Sequence, residues 1–275
     1  MIVLGGSSRQ SLAALRVALD NSLKGVSAGD ASAISSDLFK ALVAIDSSTG
    51  LRRALTDSSR DSLSKSDLIS DLFKKSLGGP ALGLLANATA LRWSAPSGIA
   101  DAIEQIAVEA EATAANLSNS LDQVQSEIFT FSKLLIENPD LRTALSERSQ
   151  SAEAKQALIK SIFGSKFSAS TNSLLAHSVE SRRARSIEKT IAAYSHAVTA
   201  RRNRVNAHIK SSIALSDGQA KKLADSLTKQ IGQPVHLNIE IDPSVLGGIS
   251  IRFGDEVIDG TISNRLAEAS RALVS

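Results

Sequence analysis

The sequence predicts a mainly α fold, in which two related helical bundles stand in tandem before a small α/β unit at the C-terminal end. Three observations lead to this prediction. Hydrophobic residues make up 43% of the 275 residues and aromatic residues only 3%, so the cores are built from aliphatic side chains, which suit helix packing. A sequence motif near residue 51 recurs 90 residues later. After residue 204, apolar residues alternate with polar ones as they do in strands.

The front of the chain contains an internal duplication. The segment Leu51-Arg52-x-Ala54-Leu55 recurs as Leu141-Arg142-x-Ala144-Leu145, and the same offset of 90 residues extends the match without a gap. The further identical pairs are Ser59 with Ser149, Lys65 with Lys155, Leu68 with Leu158, Ile69 with Ile159, and Phe73 with Phe163. Repeated units of this kind bury their apolar faces against one another. We therefore expect copy one over residues 1–100, copy two over residues 101–204, and the C-terminal unit over residues 205–275.

Copy two carries the clearest helical signals. One helix face is marked by apolar residues at spacings of three and four: Leu121, Val124, Ile128, Phe131 and Leu135. The next helix is expected to begin with Asn138 as its N-cap and Pro139 in its first turn. A third helix, over residues 152–163, is expected to end at Gly164 in the left-handed conformation of a helix C-cap.

Two longer helices are expected on either side of this segment, one from Ile99 to Leu117 and the other from Ile187 to Val205. Their charges are opposite. Residues 93–132 contain six acidic residues and no Lys or Arg, whereas residues 182–210 contain eight basic residues and one Glu. From its position in the repeat, the acidic helix is expected to end copy one and to open copy two, which makes the connection between them continuous.

The C-terminal unit is predicted to begin with a strand, because Val205, Ala207 and Ile209 alternate with polar residues. Ser216 is then expected to cap a helix, since its hydroxyl can accept a hydrogen bond from a backbone N–H of the first turn. The buried face of that helix is predicted to carry three apolar residues: Leu223, Leu227 and Ile231.

The strongest predicted strand spans residues 235–241, which alternate strictly between apolar and polar side chains. Residues 249–253 are predicted to form its antiparallel partner. Between the two, Asp242-Pro243 and Gly247-Gly248 supply the residues of a turn, because proline fixes one φ angle and glycine permits positive φ. A last helix is expected to begin at Asp259-Gly260.

The sequence lacks the residue combinations on which catalysis depends. The chain has no cysteine, and its four histidines form no His-x-x-x-His pair that would favour a metal site. Gly5-Gly6-Ser7-Ser8 lacks the Gly-Lys-Ser/Thr ending of a phosphate-binding loop, so it is predicted to be an irregular segment. Asp242, Asp255 and Asp259 lack the spacing of an EF-hand loop and are predicted to be turn and cap residues. We therefore expect no catalytic residue, no metal and no cofactor.

The basic stretch supports three interpretations. Its arginines can bind the phosphates of a nucleic acid, which would make the chain a helical adaptor acting through residues 182–204. A solvated or internally paired helix face is the simpler interpretation, since Tyr194 is the one aromatic residue in this range and the net charge of the chain is only +3. Docking on an acidic partner helix is the third. The six arginines are Arg182, Arg183, Arg185, Arg201, Arg202 and Arg204.

No segment of the sequence predicts membrane insertion. The longest apolar stretch, residues 81–91, is far shorter than the roughly 20 residues of a membrane-spanning helix. No charged region precedes the short apolar run Ile2-Val3-Leu4, so this run is not a secretory signal. Any association with a membrane is therefore expected to be indirect.

The C-terminal run from Val235 to Leu266 has the sequence VHLNIEIDPSVLGGISIRFGDEVIDGTISNRL. This run closely resembles the signature of the delta subunit of F-type ATP synthases, the relative of mitochondrial OSCP. Similarity to the ordinary family covers about residues 106–275. The duplication in front of it then suggests the longer actinobacterial-type form, with an extra helical bundle at the N-terminal end.

This resemblance implies a non-catalytic subunit of the peripheral stalk of the proton-transporting ATP synthase. Copy two would bind the N-terminal helix of an alpha subunit, and the C-terminal unit would bind the C-terminal helices of the b subunit, so that the chain resists rotor torque during ATP synthesis. One copy per complex is expected, peripheral to the cytoplasmic face of the bacterial cell membrane, without membrane insertion or nucleic-acid binding. The residues expected to shape the docking surface of the C-terminal unit are Asp242, Pro243, Gly247, Gly248, Arg252, Gly254, Asp255, Asp259 and Arg265.

Overall fold

The computed structural model of the chain describes residues 6–147, 149–180, 185–231, 235–242, 245, 247–253 and 256–260. The chain divides into two compact units, Met1–Thr199 and Ala200–Ser275. In chain order the elements are α1 (Gly6–Ser22), α2 (Ala28–Ser47), α3 (Thr49–Thr56), α4 (Ser62–Phe73), α5 (Gly79–Ala90), α6 (Pro96–Leu117), α7 (Leu121–Glu137), α8 (Pro139–Ser146), α9 (Ala152–Phe163), α10 (Ala169–Ser178), α11 (Ile187–Val205), β1 (Asn206–Ser211), α12 (Asp217–Ile231), β2 (His236–Ile241), β3 (Ile249–Phe253) and β4 (Glu256–Asp259). The predicted fold class, mainly α with a small α/β unit, is confirmed.

The helices repeat at the offset that the sequence predicts. α3, α4 and α5 begin at residues 49, 62 and 79, and α8, α9 and α10 begin at residues 139, 152 and 169, which is 90 residues later in each case. α6 begins 90 residues after α1 and 91 residues before α11, so it is both the first helix of copy two and the last helix of copy one. The division at residue 100 into separate domains stays a prediction. The buried apolar side chains of both copies form one core, from Leu12 to Val198.

Helix α6 is the central helix of the first unit. It packs against α1, α2, α3 and α5 of copy one and against α7 and α10 of copy two. From Gly98 to Ala115, every residue except Asp101 and Gln105 is buried. The spacing of the apolar residues from Ile99 to Leu117 predicts a single buried face on this helix. The structure buries the helix on all sides, because helices of both copies pack around it.

Helix α6 also carries three carboxylates that are at most 2% exposed: Glu104, Glu109 and Glu111. Arg16 of α1 places its Nε and Nη2 atoms 2.7 Å from Oε1 of Glu109. Arg185 forms an ion pair with Glu104, and the hydroxyl of Ser32 in α2 donates a hydrogen bond of 2.9 Å to Glu111. A buried carboxylate is stable only where partners replace its lost hydration, so these contacts tie both copies to α6.

Each copy also holds the N-terminus of one helix with a carboxylate from another. In copy two, Glu127 of α7 accepts hydrogen bonds from the backbone N–H and the hydroxyl of Ser168, the N-cap of α10, at 3.0 and 2.7 Å. In copy one, Asp37 of α2 accepts a hydrogen bond of 2.8 Å from the backbone N–H of Gly78, the N-cap of α5. The two contacts stand 90 residues apart, although neither residue is identical in the copies. The structure thus reveals a repeated contact that comparison of the sequence with itself misses.

The structure corrects three local predictions. Gly164 has a φ of −54°, in the right-handed region, because the chain continues a helical turn in which the N–H of Phe167 donates to a carbonyl four residues back. Asn138 stands at the N-cap of α8, but its side chain donates to the carbonyl of Leu134 and so caps the end of α7. Gly6 begins α1, so the segment predicted to be irregular is helical from that residue.

The second unit contains a four-stranded sheet with the strand order β2-β1-β3-β4. β1 pairs in parallel with β2 and antiparallel with β3, and β3 pairs antiparallel with β4. The predicted hairpin of β2 and β3 is therefore wrong, since β1 lies between them. Ala207 and Ile209 of β1 are fully buried, and Leu227 of α12 belongs to the same core. The parallel pair is possible because α12 carries the chain back from the end of β1 to the start of β2.

Strand β4 was not predicted from the sequence. Asp259, expected to begin the last helix, is instead the last residue of β4 and lies opposite Ser250 of β3. The available signal in the sequence was the β-branched pair Val257-Ile258, which follows Gly254-Asp255, a residue pair common between strands of a hairpin. The predicted last helix lies in residues 261–275, outside the described residues.

Replacing Arg16 with alanine removes the cation that is paired with the buried carboxylate of Glu109. We expect the free energy of unfolding to fall by about 3 kcal/mol, because an uncompensated buried charge remains. Urea unfolding followed by circular dichroism measures this change. Arg60→Ala is the matched control, since its pair with Asp57 is exposed and 3.9 Å long, and should cost less than about 0.5 kcal/mol. Equal losses in the two variants would contradict the role given to the buried pair.

The Glu127 contact should make stability depend on pH. Burial raises the pKa of Glu127, but hydrogen bonds from Thr171, Ser168 and Gln123 together lower it below its usual value of 4.5. A group with a lowered pKa in the folded state stabilises the fold above its unfolded pKa, and the contribution is lost as the pH falls below that value. Glu127→Gln should therefore lower the free energy of unfolding by about 1–2 kcal/mol at pH 7.

The same variant should lose much less stability at pH 3, where the carboxyl is protonated in the unfolded chain and increasingly so in the folded one. Denaturant unfolding at the two pH values makes the comparison. Glu137→Gln, at an exposed position of the same helix, is the matched control. A loss of the same size at both pH values would show that the charge of Glu127 is not what stabilises the fold.

Candidate functional site

The sheet of the second unit has an apolar face that α12 covers only in part. Residues paired across strands lie on the same face. The register places on this face the polar Ser211 and these apolar residues: Ala207, Ile209, Leu237, Ile239, Ile241, Ile249, Ile251 and Ile258. Leu223 and Leu227 of α12 pack against its central strands. The outer residues remain 38%, 57% and 41% exposed at Ile239, Ile241 and Ile258, respectively. We call these three residues the sheet surface, and it is the candidate docking surface of the second unit.

The opposite face of the sheet is polar and charged. Nζ of Lys210 lies 3.1 Å from Oδ2 of Asp242 and 3.9 Å from Oε2 of Glu240. The hydrogen bond to Asp242, with the charges of both carboxylates, raises the pKa of Lys210. Arg252 is exposed on the same face, in the neighbouring strand β3. The two faces therefore offer different chemistry, apolar on one side and paired charges on the other.

Five of the nine predicted docking residues lie in the described part of the chain. Asp242 belongs to the ion pair with the lysine of β1, Arg252 is exposed on β3, and Asp259 ends β4. Gly247 and Gly248 have φ angles of +73° and +83°, as the predicted turn requires. The other four, Pro243, Gly254, Asp255 and Arg265, lie outside the described residues. The docking role of all nine stays a prediction.

A second candidate surface follows from the contact between the two copies. Phe39 of α2 stacks on His177 of α10, with ring centroids 4.1 Å apart and ring planes inclined by 11°. The ring of Tyr194 in α11 lies 6.1 Å from that of Phe39. Nδ1 of His177 is 2.7 Å from a carboxylate oxygen of Glu180. Phe39 is only 1% exposed, so this contact, which we call the Phe39 seam, closes copy one against copy two.

Phe129 takes the place of Phe39 in copy two, 90 residues later, yet it is 69% exposed. Ile136, two turns further along α7, is also 69% exposed. The other side of α7 is buried in the core, so the helix presents two large apolar side chains outward. We call Phe129 and Ile136 the α7 surface. Phenylalanine stands at both positions 39 and 129, and this repetition was the sequence signal for the α7 surface. The residue type alone does not show that one side chain is buried and the other exposed.

The structure also separates the interpretations of the basic stretch. Arg185 pairs with the buried Glu104, and the attraction of Glu104 raises the pKa of Arg185 although burial alone would lower it. Arg201 is 2% exposed. These two arginines do not present their charges to a phosphate backbone, which favours the internally paired interpretation. The side chains of Arg182, Arg183 and Arg204 lie outside the described part.

Among the described residues, no group of three or more His, Asp or Glu side chains has a geometry that could hold a metal ion. None of the helices described above is both long enough and apolar enough to cross a membrane.

The family model of the ATP synthase delta (OSCP) subunit matches residues 108–273. The chain belongs to this family. The match spans most of copy two and nearly all of the C-terminal unit, so the resemblance predicted from the sequence over about residues 106–275 is confirmed. The delta (OSCP) subunit is a non-catalytic structural subunit of the ATP synthase, which agrees with the absence of a catalytic combination in the sequence.

Relatives named ATP synthase subunit delta match nearly the whole chain. That of Streptomyces griseus is 36% identical over 270 residues, which are 98% of this chain and 99% of the relative. Those of Streptomyces coelicolor and Thermobifida fusca are 37% and 34% identical, and each match covers 98% of both chains. These actinobacterial relatives therefore share the extra length of copy one. Among solved structures, a chain of the Toxoplasma gondii mitochondrial ATP synthase hexamer aligns at 17% identity and a TM-score of 0.33, over 61% of this chain and 97% of that one.

Gly247, in the turn after β2, provides a test of the conformation that the structure gives to this turn. Gly247→Ala places a Cβ atom on a residue at φ +73°, which costs about 1 kcal/mol in the left-handed region. We expect the second unit to lose that much stability, measured by hydrogen exchange of the β1 and β3 amides. Gly218→Ala is the matched control, because a Cβ there meets nothing within 4 Å and φ is not positive. Faster exchange in the control than in Gly247→Ala would contradict the positive φ angle assigned to Gly247.

Proposed function

We propose that this delta-family chain links the catalytic head of the F-type ATP synthase to its peripheral stalk. In this role copy two binds the N-terminal helix of an alpha subunit, and the C-terminal unit binds the C-terminal helices of the b subunit. The chain performs no chemistry and resists the torque of the rotor during ATP synthesis. The observation that carries the proposal is the family match over residues 108–273, which spans parts of both binding units.

The packing of the first unit suits a subunit that transmits force. A link under torque must not yield between its parts, and here one helix, α6, is buried in the core shared by both copies. The ion pairs of Glu104 and Glu109 add directional contacts to that core, because separating either pair would leave a charge in an apolar environment. Copy one acts as a brace for copy two.

The sheet surface supports the assignment of the C-terminal unit. Ile239, Ile241 and Ile258 form an apolar patch beside α12, and such a patch is covered when an amphipathic helix of a partner packs on it. The polar face carries charge pairs, and among the described residues its exposed large apolar side chain is the single Val257. The sheet surface is therefore where the b subunit binds in this proposal.

The complex contains one copy of the chain, on the cytoplasmic face of the bacterial membrane, with no segment of its own inserted. Contact with the membrane is made through the b subunit. The nucleic-acid alternative is not favoured, because Arg185 is held by Glu104 and Arg201 is buried.

The proposal is tested by titrating the full chain with a peptide of the alpha N-terminus and with the C-terminal segment of b, using calorimetry. We expect both to bind, at separate sites. Ile241→Ser with Ile258→Ser should weaken binding of b about tenfold or more and leave the alpha peptide unaffected, since the change removes two apolar anchors. Ile213→Ser, at a position that is 69% exposed and outside the sheet, is the matched control. Failure of the wild-type chain to bind either segment would refute the proposed function.

A further inference from the structure

His177 makes the direct contact of α10 with α2 at the Phe39 seam. Its ring stacks on Phe39, with ring centroids 4.1 Å apart, and its Nδ1 atom lies 2.7 Å from Oε2 of Glu180. The other carboxylate oxygen of Glu180 accepts a hydrogen bond of 2.6 Å from Gln156 of α9. The side chains of His177 and Glu180 are only 15% and 24% exposed. A titratable ring therefore lies at a partly dehydrated junction of copy one with copy two.

The immediate surroundings of this ring favour its charged form. The carboxylate of Glu180 attracts a cation, and so does the face of the Phe39 ring on which the imidazole lies. His177 also lies in the last turn of α10, where the helix dipole presents its negative end. Burial raises the pKa of Glu180, but the hydrogen bond to His177 and the charge of that ring lower it below its usual value of 4.5. The contact is therefore stronger when His177 is charged.

Further carboxylates lie around the same junction. Asp46 of α2 lines, together with His177 and Glu180, a cavity of about 180 Å³ beside the seam. Glu153 of α9 lies close enough to Glu180 that its charge acts to raise the pKa of that carboxyl. Both of these groups add negative charge near the ring, and negative charge stabilises an imidazolium.

Three cations of the packed elements are held by other partners: Lys40 of α2 by Asp37, Arg52 by the carbonyls of Ile45 and Asp46, and Arg185 by Glu104. Tyr194 of α11 directs its hydroxyl to Glu104, 3.4 Å away. Lys160 lines the groove between α9 and α10. The segment 181–184, with two arginines, lies outside the described residues. Among the described groups, the charges next to His177 are thus those of carboxylates.

We propose that the Phe39 seam is a proton-linked contact, in which charging of His177 holds α2 of copy one more firmly to α10 of copy two. Imidazole is the side chain whose charge ordinarily changes between about pH 5 and about pH 8. The seam therefore tightens as the pH falls through this range. The contact belongs to the chain itself, so the inference does not rest on the proposed function; within that function it stiffens the brace as the surroundings acidify.

Glu180 sets the acid limit of this effect. A carboxyl whose pKa is lowered by folding stabilises the fold above its unfolded value, here 4.5, and the contribution is lost as the pH falls through the folded pKa. An imidazole ordinarily loses its charge as the pH rises through about 6.5. The ion pair therefore forms between these limits and is strongest near about pH 5.5.

The repeat supplies a control inside the same molecule. In copy one, 90 residues earlier, Asn87 and Ala90 take the places of His177 and Glu180. Neither of these side chains titrates, so α5 reports the pH dependence that α10 would show without a histidine. Effects of pH that are common to both copies are removed by comparing the two helices.

Hydrogen exchange of the full-length chain, followed by NMR at about pH 5.5 and about pH 7.5, tests the proposal. The amides of residues 174–178 in α10 are compared with those of residues 84–88 in α5, each corrected for its intrinsic exchange rate. At the lower pH, protection of the α10 amides should rise about threefold or more relative to the α5 amides. An equal change at both helices, or no change, would overturn the proposal without the use of any variant.

Three variants identify the ring that is responsible. His177→Asn introduces the residue that copy one already carries at this position and should abolish the relative increase. Glu180→Gln removes the anion and should reduce it. His196→Asn, at an exposed position of α11, is the matched control and should keep the full increase. Persistence of the increase in His177→Asn, an unchanged increase in Glu180→Gln, or its loss in His196→Asn would each overturn the proposal.

Discussion

Three carboxylates buried on one helix determine how the helical unit is built. Glu104 and Glu111 lie two turns apart on one side of α6, Glu109 lies on another side, and each is contacted by a different element. Their partners come from both copies: Arg16 and Ser32 from copy one, and Arg185 from the segment before α11. Because an unpaired buried charge is costly, α6 is stable in the core only when both copies surround it. The ion pair of Glu104 with Arg185 links the acidic stretch to the basic one.

Because the chain contains two related copies, equivalent residues occur in both. Some make the same contact in each copy, and others differ in burial. The carboxylate that holds a helix N-terminus is Asp37 in one copy and Glu127 in the other, with the same role. The phenylalanine that follows two residues later is identical in both copies, but it is buried at 39 and exposed at 129. The same residue type therefore lies in two environments, because the ring of His177 stacks on Phe39 whereas Phe129 is largely exposed.

The second unit shows how a short segment can offer two unlike faces. Helix α12 returns the chain so that β2 joins the outer edge of β1, and the hairpin of β3 and β4 joins the other edge. Among the described residues, α12 is the helix that packs on the sheet, and Ile239, Ile241 and Ile258 of the outer strands stay partly exposed beside it. This incomplete cover is the basis for the docking surface that we propose, while the charges of Lys210 and Asp242 lie on the opposite face.

The sequence by itself determined the fold class, the repeat, most helix boundaries of copy two and the family, because spacing and identity along the chain carry that information. It also placed the positive φ angles at Gly247 and Gly248, which follow from residue type. Only the tertiary structure decided that β1 separates β2 from β3, that α6 is buried on all sides, and that Phe39 and Phe129 differ in exposure. Each of these depends on which distant element packs nearby, and a local pattern of apolar and polar residues is the same whichever neighbour covers it.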